Sequence, residues 1–226
     1  MPRFLRTPFK FVLWFCVAFA LATVLLVLML RWVDPPSSAV IQFWQQHSGH
    51  KAQQQWRPLE KISPSLQMAV IAAEDQKFPL HYGFDFAALK QAINENRKRT
   101  RGASTITQQT AKNLFLWNGR SYLRKGLEAW FTLLMELLWP KERILEVYLN
   151  IAEFGEGIYG AEAAARSFFG TSAQNISHWQ AGLMAAVLPS PKRMSAKAPS
   201  HYVRSRASTI HRQVRKLGDA GYLKNL

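Results

Sequence analysis

The sequence predicts a mainly α-helical domain that follows a single N-terminal transmembrane helix. Phe11–Leu30 is a run of twenty residues without a charge, the length that a helix needs to cross the hydrocarbon layer of a membrane. Beyond it, apolar residues recur at helical spacing, and no stretch alternates between apolar and polar residues as a surface strand does. The 226 residues suffice for one anchor and one domain with a real core.

The flanks of the apolar run predict its orientation. Arg3, Arg6 and Lys10 precede it without any acidic residue, which places the N-terminus in the cytoplasm by the positive-inside rule. The sequence after Leu30 offers no small-residue cleavage site, so a retained anchor is favoured over a cleaved signal peptide. We divide the chain into a cytoplasmic tail (1–10), a transmembrane anchor (11–30), a periplasmic spacer (31–57) and a folded domain (58–226).

Charge and cysteine content narrow the class of partner. The net charge is +15, and about +11 of it lies beyond the anchor. An exported domain with this charge meets lipid headgroups and lipid phosphates first, so nucleic acid is not the expected partner. The only cysteine, Cys16, lies in the predicted membrane span, which excludes an intrachain disulfide and a cysteine metal site.

The spacer contains Pro35-Pro36 and two tryptophans, Trp44 and Trp56. One interpretation is a short amphipathic helix near the headgroups, because tryptophan favours the membrane interface. The other is that the tryptophans pack under the domain. The sequence does not decide between these alternatives.

The first candidate catalytic residue, Glu74, lies at the end of an apolar helix that Ser63-Pro64 begin. A carboxylate at that position is expected to be partly desolvated, which raises its pKa and suits it to accept a proton. Asp75 adds repulsion between like charges, and Phe78 can shield one side of the site. The structural alternative is a Glu-Asp pair that opens the next helical turn.

A polar face follows further along the chain. After a predicted helix, Asp85–Asn96, comes the basic run Arg97–Arg101. On a continuing helix, one face would carry Ser104, Gln108 and Lys112, and the neighbouring face would carry Thr105, Gln109 and Asn113. Amides and hydroxyls beside cations are what a sugar diphosphate requires, although a solvated face is similar in composition.

Two glutamates interrupt an otherwise apolar helix, Leu127–Trp139, which we expect to be buried. Glu128 has Arg124 and Lys125 within one turn, so an ion pair is its structural alternative; for Glu136 that alternative is favoured. Pro140 ends this helix, and further helical patterns cover 141–150, 161–169, 179–188 and 202–217, the last of them basic and amphipathic.

Four ordered motif blocks between about Ile62 and Arg193 resemble the peptidoglycan glycosyltransferases of glycosyltransferase family 51, the domain also found at the front of class A penicillin-binding proteins. The blocks are Glu74-Asp75-x-x-Phe78-x-x-His81-x-Gly83, Gly102-Ala103-Ser104-x-x-x-Gln108-Gln109-x-x-Lys112-Asn113, Arg124-Lys125-x-x-Glu128, and Lys141-x-x-Ile144-Leu145-Glu146-x-Tyr148-Leu149-Asn150. No sequence remains for a penicillin-binding domain, so the chain is similar to the monofunctional members in Gram-negative bacteria.

The resemblance implies a lysozyme-like helical glycosyltransferase domain (58–226). It also implies polymerisation of lipid II, an undecaprenyl-diphosphate disaccharide pentapeptide, into β-1,4-linked strands. Glu74 would be the general base and Glu128 the second essential glutamate, which could hold a metal ion, orient cations or stabilise the departing phosphate in protonated form. Substrate would be bound by Asp75, Phe78, Ser104, Gln108, Gln109, Lys112, Asn113, Arg120, Arg124 and Lys125.

A divalent cation, Mg²⁺ or Mn²⁺, is expected to be held mainly by the substrate diphosphate, with Glu128 as a candidate ligand. His81 is expected to brace the loop after Glu74. The expected partners are lipid II, the growing glycan strand, the bilayer of the bacterial inner membrane, and proteins of division or elongation. Two rival functions remain: a lytic transglycosylase, which needs no cations for a diphosphate, and a basic scaffold that binds anionic polymer without turnover.

Overall fold

The computed structural model describes residues 3–86, 90, 104–119 and 121–226, with side chains from residue 10 onward. Arg120, the run Arg97–Arg101, Gly102, Ala103 and most of the predicted helix Asp85–Asn96 lie outside the described residues. Within the described part, the fold is mainly helical, as predicted.

The described helices follow the apolar spacing of the sequence, and short 3₁₀ turns connect several of them. The α-helices are α1 (Arg3–Met29), α2 (Ala39–Ser48), α3 (Pro64–Glu74), α4 (Ile106–Phe115), α5 (Tyr122–Leu138), α6 (Lys141–Ile151), α7 (Ala161–Phe169), α8 (His178–Val187) and α9 (His201–Leu217). The 3₁₀ turns are Leu59–Lys61, Phe78–Leu80 and Asp219–Asn225.

Capping residues fix where the functional helices begin. Ser63 caps α3 by accepting a hydrogen bond from the Ser65 amide, with Pro64 in the first turn. Thr105 caps α4 in a capping box with Gln108, so the helix begins at Ile106 rather than at Ser104. Because of this cap, Ser104 and Thr105 lie before the helix and do not extend its polar face.

Helix α3 forms the centre of the core. Its residues from Leu66 to Ala72 are buried, and it packs against α8 and α9. Helix α4 packs against both α5 and α6, and it also contacts α2. The carboxyl end of α3 lies beside α4, where Glu74 accepts a hydrogen bond from Gln109.

A small sheet, which the sequence analysis did not predict, joins the spacer to the domain. Its strands are β1 (Gln53–Gln54), β2 (Glu153–Gly155) and β3 (Ile158–Tyr159), in the order β1-β3-β2. β3 is parallel to β1 and antiparallel to β2. Strands of two or three residues are too short to show an alternating pattern, which is why the sequence analysis missed them.

The anchor α1 docks on the domain rather than only tethering it. Trp139 Nε1 donates to the Val27 carbonyl oxygen at 2.7 Å, and Trp130 Nε1 donates to Thr23 Oγ1 at 3.2 Å. Arg143 reaches the Leu30 carbonyl oxygen. In the described part of the chain, the one helix whose length and composition would allow it to cross a membrane is the segment Lys10–Met29 of α1.

Helix α5 corrects one expectation, because it is not buried on all sides. Leu133 is 44% exposed and Leu137 is 70% exposed, although Phe131 and Met135 are buried. The helix packs on α4 with one face and on α1 with another, and the described residues do not cover its third apolar face. Apolar composition alone cannot distinguish a protein environment from a lipid environment.

The spacer packs against the domain. Trp56 lies against the hydrophobic core, with the Arg143 guanidinium carbon 5.5 Å from its ring centre. Trp44, on α2, donates a hydrogen bond to Glu156 Oε1 at 2.9 Å. Of the two alternatives for these tryptophans, the structure supports packing against the domain.

Candidate active site

Glu74 lies at the last position of α3, with its side chain 13% exposed. Its Oε2 accepts a hydrogen bond from Gln109 Nε2 at 3.0 Å. Its Oε1 lies 3.9 Å from Arg206 Nη2, a distance too long for a hydrogen bond. The carboxylate is thus held by a neutral amide and only approached by a cation.

Burial raises the pKa of Glu74 above its ordinary value. The hydrogen bond from Gln109 and the positive charges of Arg206 and Lys112 oppose this increase, and the negative charge of Asp75 adds to it. The raised pKa was expected from the position of Glu74 at the end of an apolar helix. A glutamate with a raised pKa is a stronger proton acceptor than an exposed one.

Tyr148 fixes the orientation of the Gln109 amide. Its hydroxyl donates to Gln109 Oε1 at 3.3 Å, while Gln109 Nε2 faces Glu74. Burial raises the pKa of Tyr148 well above its ordinary value, so the hydroxyl keeps its proton. Since the Tyr148 hydroxyl donates and the Glu74 carboxylate accepts, the amide oxygen faces the tyrosine and the amide nitrogen faces the glutamate.

Asp75 makes structural contacts rather than facing the site. Its Oδ2 accepts a hydrogen bond from the Ile106 amide at 3.0 Å, at the start of α4. His81 Nε2 lies 2.9 Å from Asp75 Oδ1, the contact expected of a bracing residue. Through these contacts Asp75 ties α3 to the first turn of α4. Its assignment to substrate binding stays a prediction.

Two further residues predicted to bind substrate, Phe78 and Gln108, have contacts within the protein. Phe78 is 0% exposed and fills the core beside His81. The Gln108 side chain closes the capping box by accepting the Thr105 amide at 3.1 Å. Ser104 is half-buried before α4, and no described contact relates it to Glu74.

Glu128 forms a compact ionic cluster on α5. It is 4% exposed, and its Oε2 lies 3.1 Å from Arg124 Nη1 while its Oε1 lies 2.5 Å from Lys125 Nζ. Nearby Lys112 is half-buried, and burial lowers the pKa of its ammonium group, whereas the negative charge of Glu128 raises it. The cluster therefore presents three cations around one carboxylate.

Glu128, the predicted metal ligand, already contacts two cations. Its Oε2 faces Arg124 and its Oε1 faces Lys125, so a metal ion bound there would lie beside two positive charges. Among the residues that the structure describes, no group of three or more His, Cys, Asp or Glu side chains could hold a metal ion. The divalent cation stays a prediction, and we assign no step of the reaction to it.

A cavity of about 580 Å³ lies beside this site. Gln109, Lys112 and Asn113 of α4 line it, together with residues of α2 and of the β2–β3 hairpin. Gln109 links this lining to the candidate base, because its amide donates a hydrogen bond to Glu74. Its volume falls within the range of about 300–1,000 Å³ that is typical of ligand sites.

The sequence analysis missed Arg206 and the function of Tyr148. Arg206 belongs to a basic amphipathic helix in which any of several arginines could have faced the site. Tyr148 was given no function, and its hydroxyl contact depends on how α6 packs against α4. The motif blocks contain Tyr148, so the resemblance could have identified it; Arg206 lies outside them.

A family model described as Transglycosylase matches residues 40–215 of the chain. A biosynthetic peptidoglycan transglycosylase of Xanthomonas campestris pv. campestris is 52% identical over 99% of the chain and 94% of its own length. Proteins with the same description from Pseudomonas fluorescens and Stutzerimonas stutzeri are each 54% identical, over 100% and 90% of the chain and 96% and 87% of their own lengths. The domain has the helical, lysozyme-like fold of the family. The chain belongs to the transglycosylase family.

Proposed function

We propose that the chain is a peptidoglycan glycosyltransferase that polymerises lipid II into β-1,4-linked glycan strands and releases undecaprenyl diphosphate for cell wall biosynthesis. The observation that carries the proposal is the pair of unlike carboxylates beside α4. Glu74 contacts that helix through the neutral amide of Gln109, and Glu128 acts on the charge of Lys112. The names of the relatives support the same reaction.

In the proposed reaction, the oxygen of a sugar 4-hydroxyl attacks the anomeric carbon of a second sugar. The new carbon–oxygen bond forms as the bond to the diphosphate oxygen breaks. Glu74 accepts the hydroxyl proton, and the diphosphate leaves with the bonding electrons. A hydroxyl is a poor nucleophile, and a positioned general base contributes about 10² to 10⁴ in rate.

The cations around Glu128 stabilise the departing diphosphate. Lys112 lines the cavity, and Arg124 and Lys125 are held by Glu128 within one helical turn. Fixed cations in a partly desolvated site act strongly on charge that develops in the transition state. Arg120 belongs to the same predicted group and lies outside the described residues. Asn113 and Gln109 line the cavity as candidate contacts to sugar or phosphate.

The docking of α1 supports the proposal that part of the domain lies at membrane depth. Thr23 contacts Trp130 about six residues before the end of the anchor, which corresponds to about 9 Å along the helix axis. The exposed side chains of Leu133 and Leu137 on α5 are then covered by lipid tails rather than by water. A substrate with a long lipid tail can stay in the bilayer while its headgroup reacts.

The finer localisation is also part of the proposal. The cations Arg3, Arg6 and Lys10 before the apolar run favour a cytoplasmic N-terminus, so the catalytic domain faces the periplasm of the bacterial inner membrane as a single-pass protein. Lipid II and the growing strand are the proposed substrates. Proteins of division or elongation stay predicted partners.

The test is incubation of the detergent-solubilised full chain with lipid II, with Mg²⁺, with Mn²⁺ or with a chelator. We expect a ladder of products on a gel that disappears after muramidase digestion. No ladder in any of these conditions, together with release of fragments from preformed cell-wall sacculi, would show a lytic enzyme instead. The chelator sample separately tests the predicted divalent cation.

A further inference from the structure

The chain that follows α9 turns back onto α3. Gly218 has φ +95° and Asp219 has φ +52°, so two consecutive residues adopt the left-handed conformation that commonly ends a helix. The 3₁₀ turn Asp219–Asn225 then packs against α3. We call residues 218–226 the return segment. It lies beyond the four motif blocks.

Apolar side chains hold the return segment on the domain. Tyr222, Leu223 and Leu226 are half-buried and pack against the hydrophobic core. The Leu226 amide donates to the Leu223 carbonyl oxygen at 3.2 Å, within the same segment. Because the apolar ring of Tyr222 contributes to this packing and its hydroxyl does not, the hydroxyl can be removed without releasing the segment.

The Tyr222 hydroxyl donates to the carbonyl oxygen of Gln76 at 2.8 Å. Gln76 lies two residues after the candidate base Glu74, whereas Tyr222 lies 146 residues after Gln76. Burial raises the pKa of Tyr222, and the negative charge of Asp75 adds to this increase. The hydroxyl therefore keeps its proton and stays a donor at neutral pH.

This hydrogen bond acts at the end of a helix, where the backbone is least restrained. The last carbonyl groups of a helix have no partner within it, and helix ends fray. At the end of α3, the Asp75 amide donates to the Ile71 carbonyl oxygen at 2.9 Å. The Gln76 side chain donates to the Ala72 carbonyl oxygen at 3.1 Å. Tyr222 restrains the backbone of the same Gln76, so it helps to keep both contacts closed.

The position of Glu74 depends on this last turn. The polar and charged groups around its carboxylate are Asp75 next to it, Gln109 and Lys112 on α4, Tyr148 on α6 and Arg206 on α9. The 3.0 Å contact with Gln109 and the burial that raises the pKa of Glu74 both require that the turn stays closed. An open turn would admit water to the carboxylate and reduce the effect of burial on its pKa.

We propose that Tyr222 is a positioning residue for the general base: its hydrogen bond to the Gln76 carbonyl oxygen keeps the last turn of α3 closed and holds the Glu74 carboxylate against α4. Tyr222 does not line the cavity and acts through the backbone. The catalytic part of this inference rests on the proposed function, in which Glu74 accepts the hydroxyl proton. The restraint on α3 does not depend on the reaction, so it can be measured separately.

The first test measures hydrogen exchange of the backbone amides in residues 71–78 of the full chain in detergent. Tyr222→Phe keeps the aromatic ring and removes only the hydroxyl, so we expect exchange there to become about five- to tenfold faster. The matched control is Tyr202→Phe on α9. Tyr202 is 59% exposed, and its hydroxyl has no hydrogen-bond partner among the described residues, so exchange should equal that of the wild type.

The second test measures the pH profile of lipid II polymerisation. In Tyr222→Phe, we expect kcat to be about tenfold lower with an unchanged KM, because the base is misplaced while the substrate contacts are intact. The acidic limb of kcat/KM should move to lower pH, because a more hydrated Glu74 has a lower pKa. Leu223→Ala, which loosens the return segment and keeps the hydroxyl, should move the limb in the same direction. A loss of stability alone would lower activity without moving the limb.

The outcomes separate the two proposals. If the wild type makes no polymer, the proposed function fails, and the positioning of a base fails with it. If the wild type makes polymer and Tyr222→Phe matches it in exchange, kcat and the acidic limb, only the inference about Tyr222 fails. Faster exchange with unchanged kcat and an unchanged limb would show a merely structural contact and would also overturn the inference. Equal changes in Tyr202→Phe would do the same.

Discussion

Glu74 and Glu128 are both largely buried glutamates beside α4, but their surroundings differ. Glu74 accepts a hydrogen bond from a neutral amide, and its nearest described cation, Arg206, is 3.9 Å away. Glu128 contacts two cations directly, Arg124 at 3.1 Å and Lys125 at 2.5 Å. Burial raises the pKa of Glu74, whereas the charge of Glu128 is balanced within its own helix.

This difference assigns the two carboxylates to different tasks. A base must be able to take up a proton, so a cation in direct contact would weaken it by favouring the charged form. A carboxylate that orients cations must instead stay charged and close to them. The predictions below test this division, beginning with the largest expected effect.

Glu74→Gln should lower kcat by about 10² to 10⁴, because the amide cannot accept the hydroxyl proton. Gln109 can still contact the new side chain, so the fold should persist. The measurement is the initial rate of lipid II polymerisation, with Glu60→Gln, an exposed glutamate, as the matched control. Activity within a few-fold of the wild type would show that Glu74 is not the general base.

Glu74→Gln should also change how the stability of the protein depends on pH. Because the pKa of Glu74 is raised, the folded protein binds this proton more tightly than the unfolded chain does. Wild-type stability therefore decreases as pH rises from the ordinary value of 4.5 through the folded pKa, and the neutral glutamine escapes this decrease. The unfolding temperature of Glu74→Gln relative to the wild type should rise across this window.

Glu128→Gln should also lower activity, but it should lower stability instead of raising it. The substitution leaves Arg124 and Lys125 without their shared ion-pair partner. Activity should therefore decrease by about 100-fold, and the unfolding temperature should also decrease. The charge of Glu128 raises the pKa of Lys112. Removing that charge should therefore move the alkaline limb of the pH profile of kcat/KM to lower pH.

The matched control for Glu128→Gln is Glu136→Gln on the same helix. Glu136 pairs with Lys141 at 2.8 Å and accepts a hydrogen bond from Thr107, so its replacement should lower stability. It should leave the alkaline limb in place, because Glu136 does not act on the charge of Lys112. If both variants move the limb equally, the proposed link between Glu128 and Lys112 is wrong.

Much of the fold was predictable because its signals are local. The apolar spacing, the caps at Ser63 and the stop at Pro140 depend on neighbouring residues, and the structure places α3 and α6 accordingly. The raised pKa of Glu74 also followed from its position at the end of an apolar helix. Both pairs around Glu128 lie within one helical turn, so spacing was enough to predict them.

The remaining features depend on tertiary contacts. Asp75 and Gln108 have the polarity of substrate-binding residues, but the start of α4 uses both of them. Trp44 reached the cavity only because the β2–β3 hairpin, too short to show a strand pattern, folds under it. The exposed face of α5 could not be told from a buried face, because lipid and protein favour the same side chains.

Arg206 gives the finest test of the comparison, since it is the cation that approaches Glu74 without contacting it. Its positive charge lowers the pKa of Glu74, so Arg206→Gln should raise that pKa and move the acidic limb of kcat/KM to higher pH. At the plateau, the loss should be less than about tenfold, because the base itself is intact. Arg204→Gln is the matched control, since Arg204 lies on the same helix and bonds to the Pro199 carbonyl oxygen instead. An acidic limb that stays in place in Arg206→Gln would show that the charge of Arg206 does not influence the ionisation of the base.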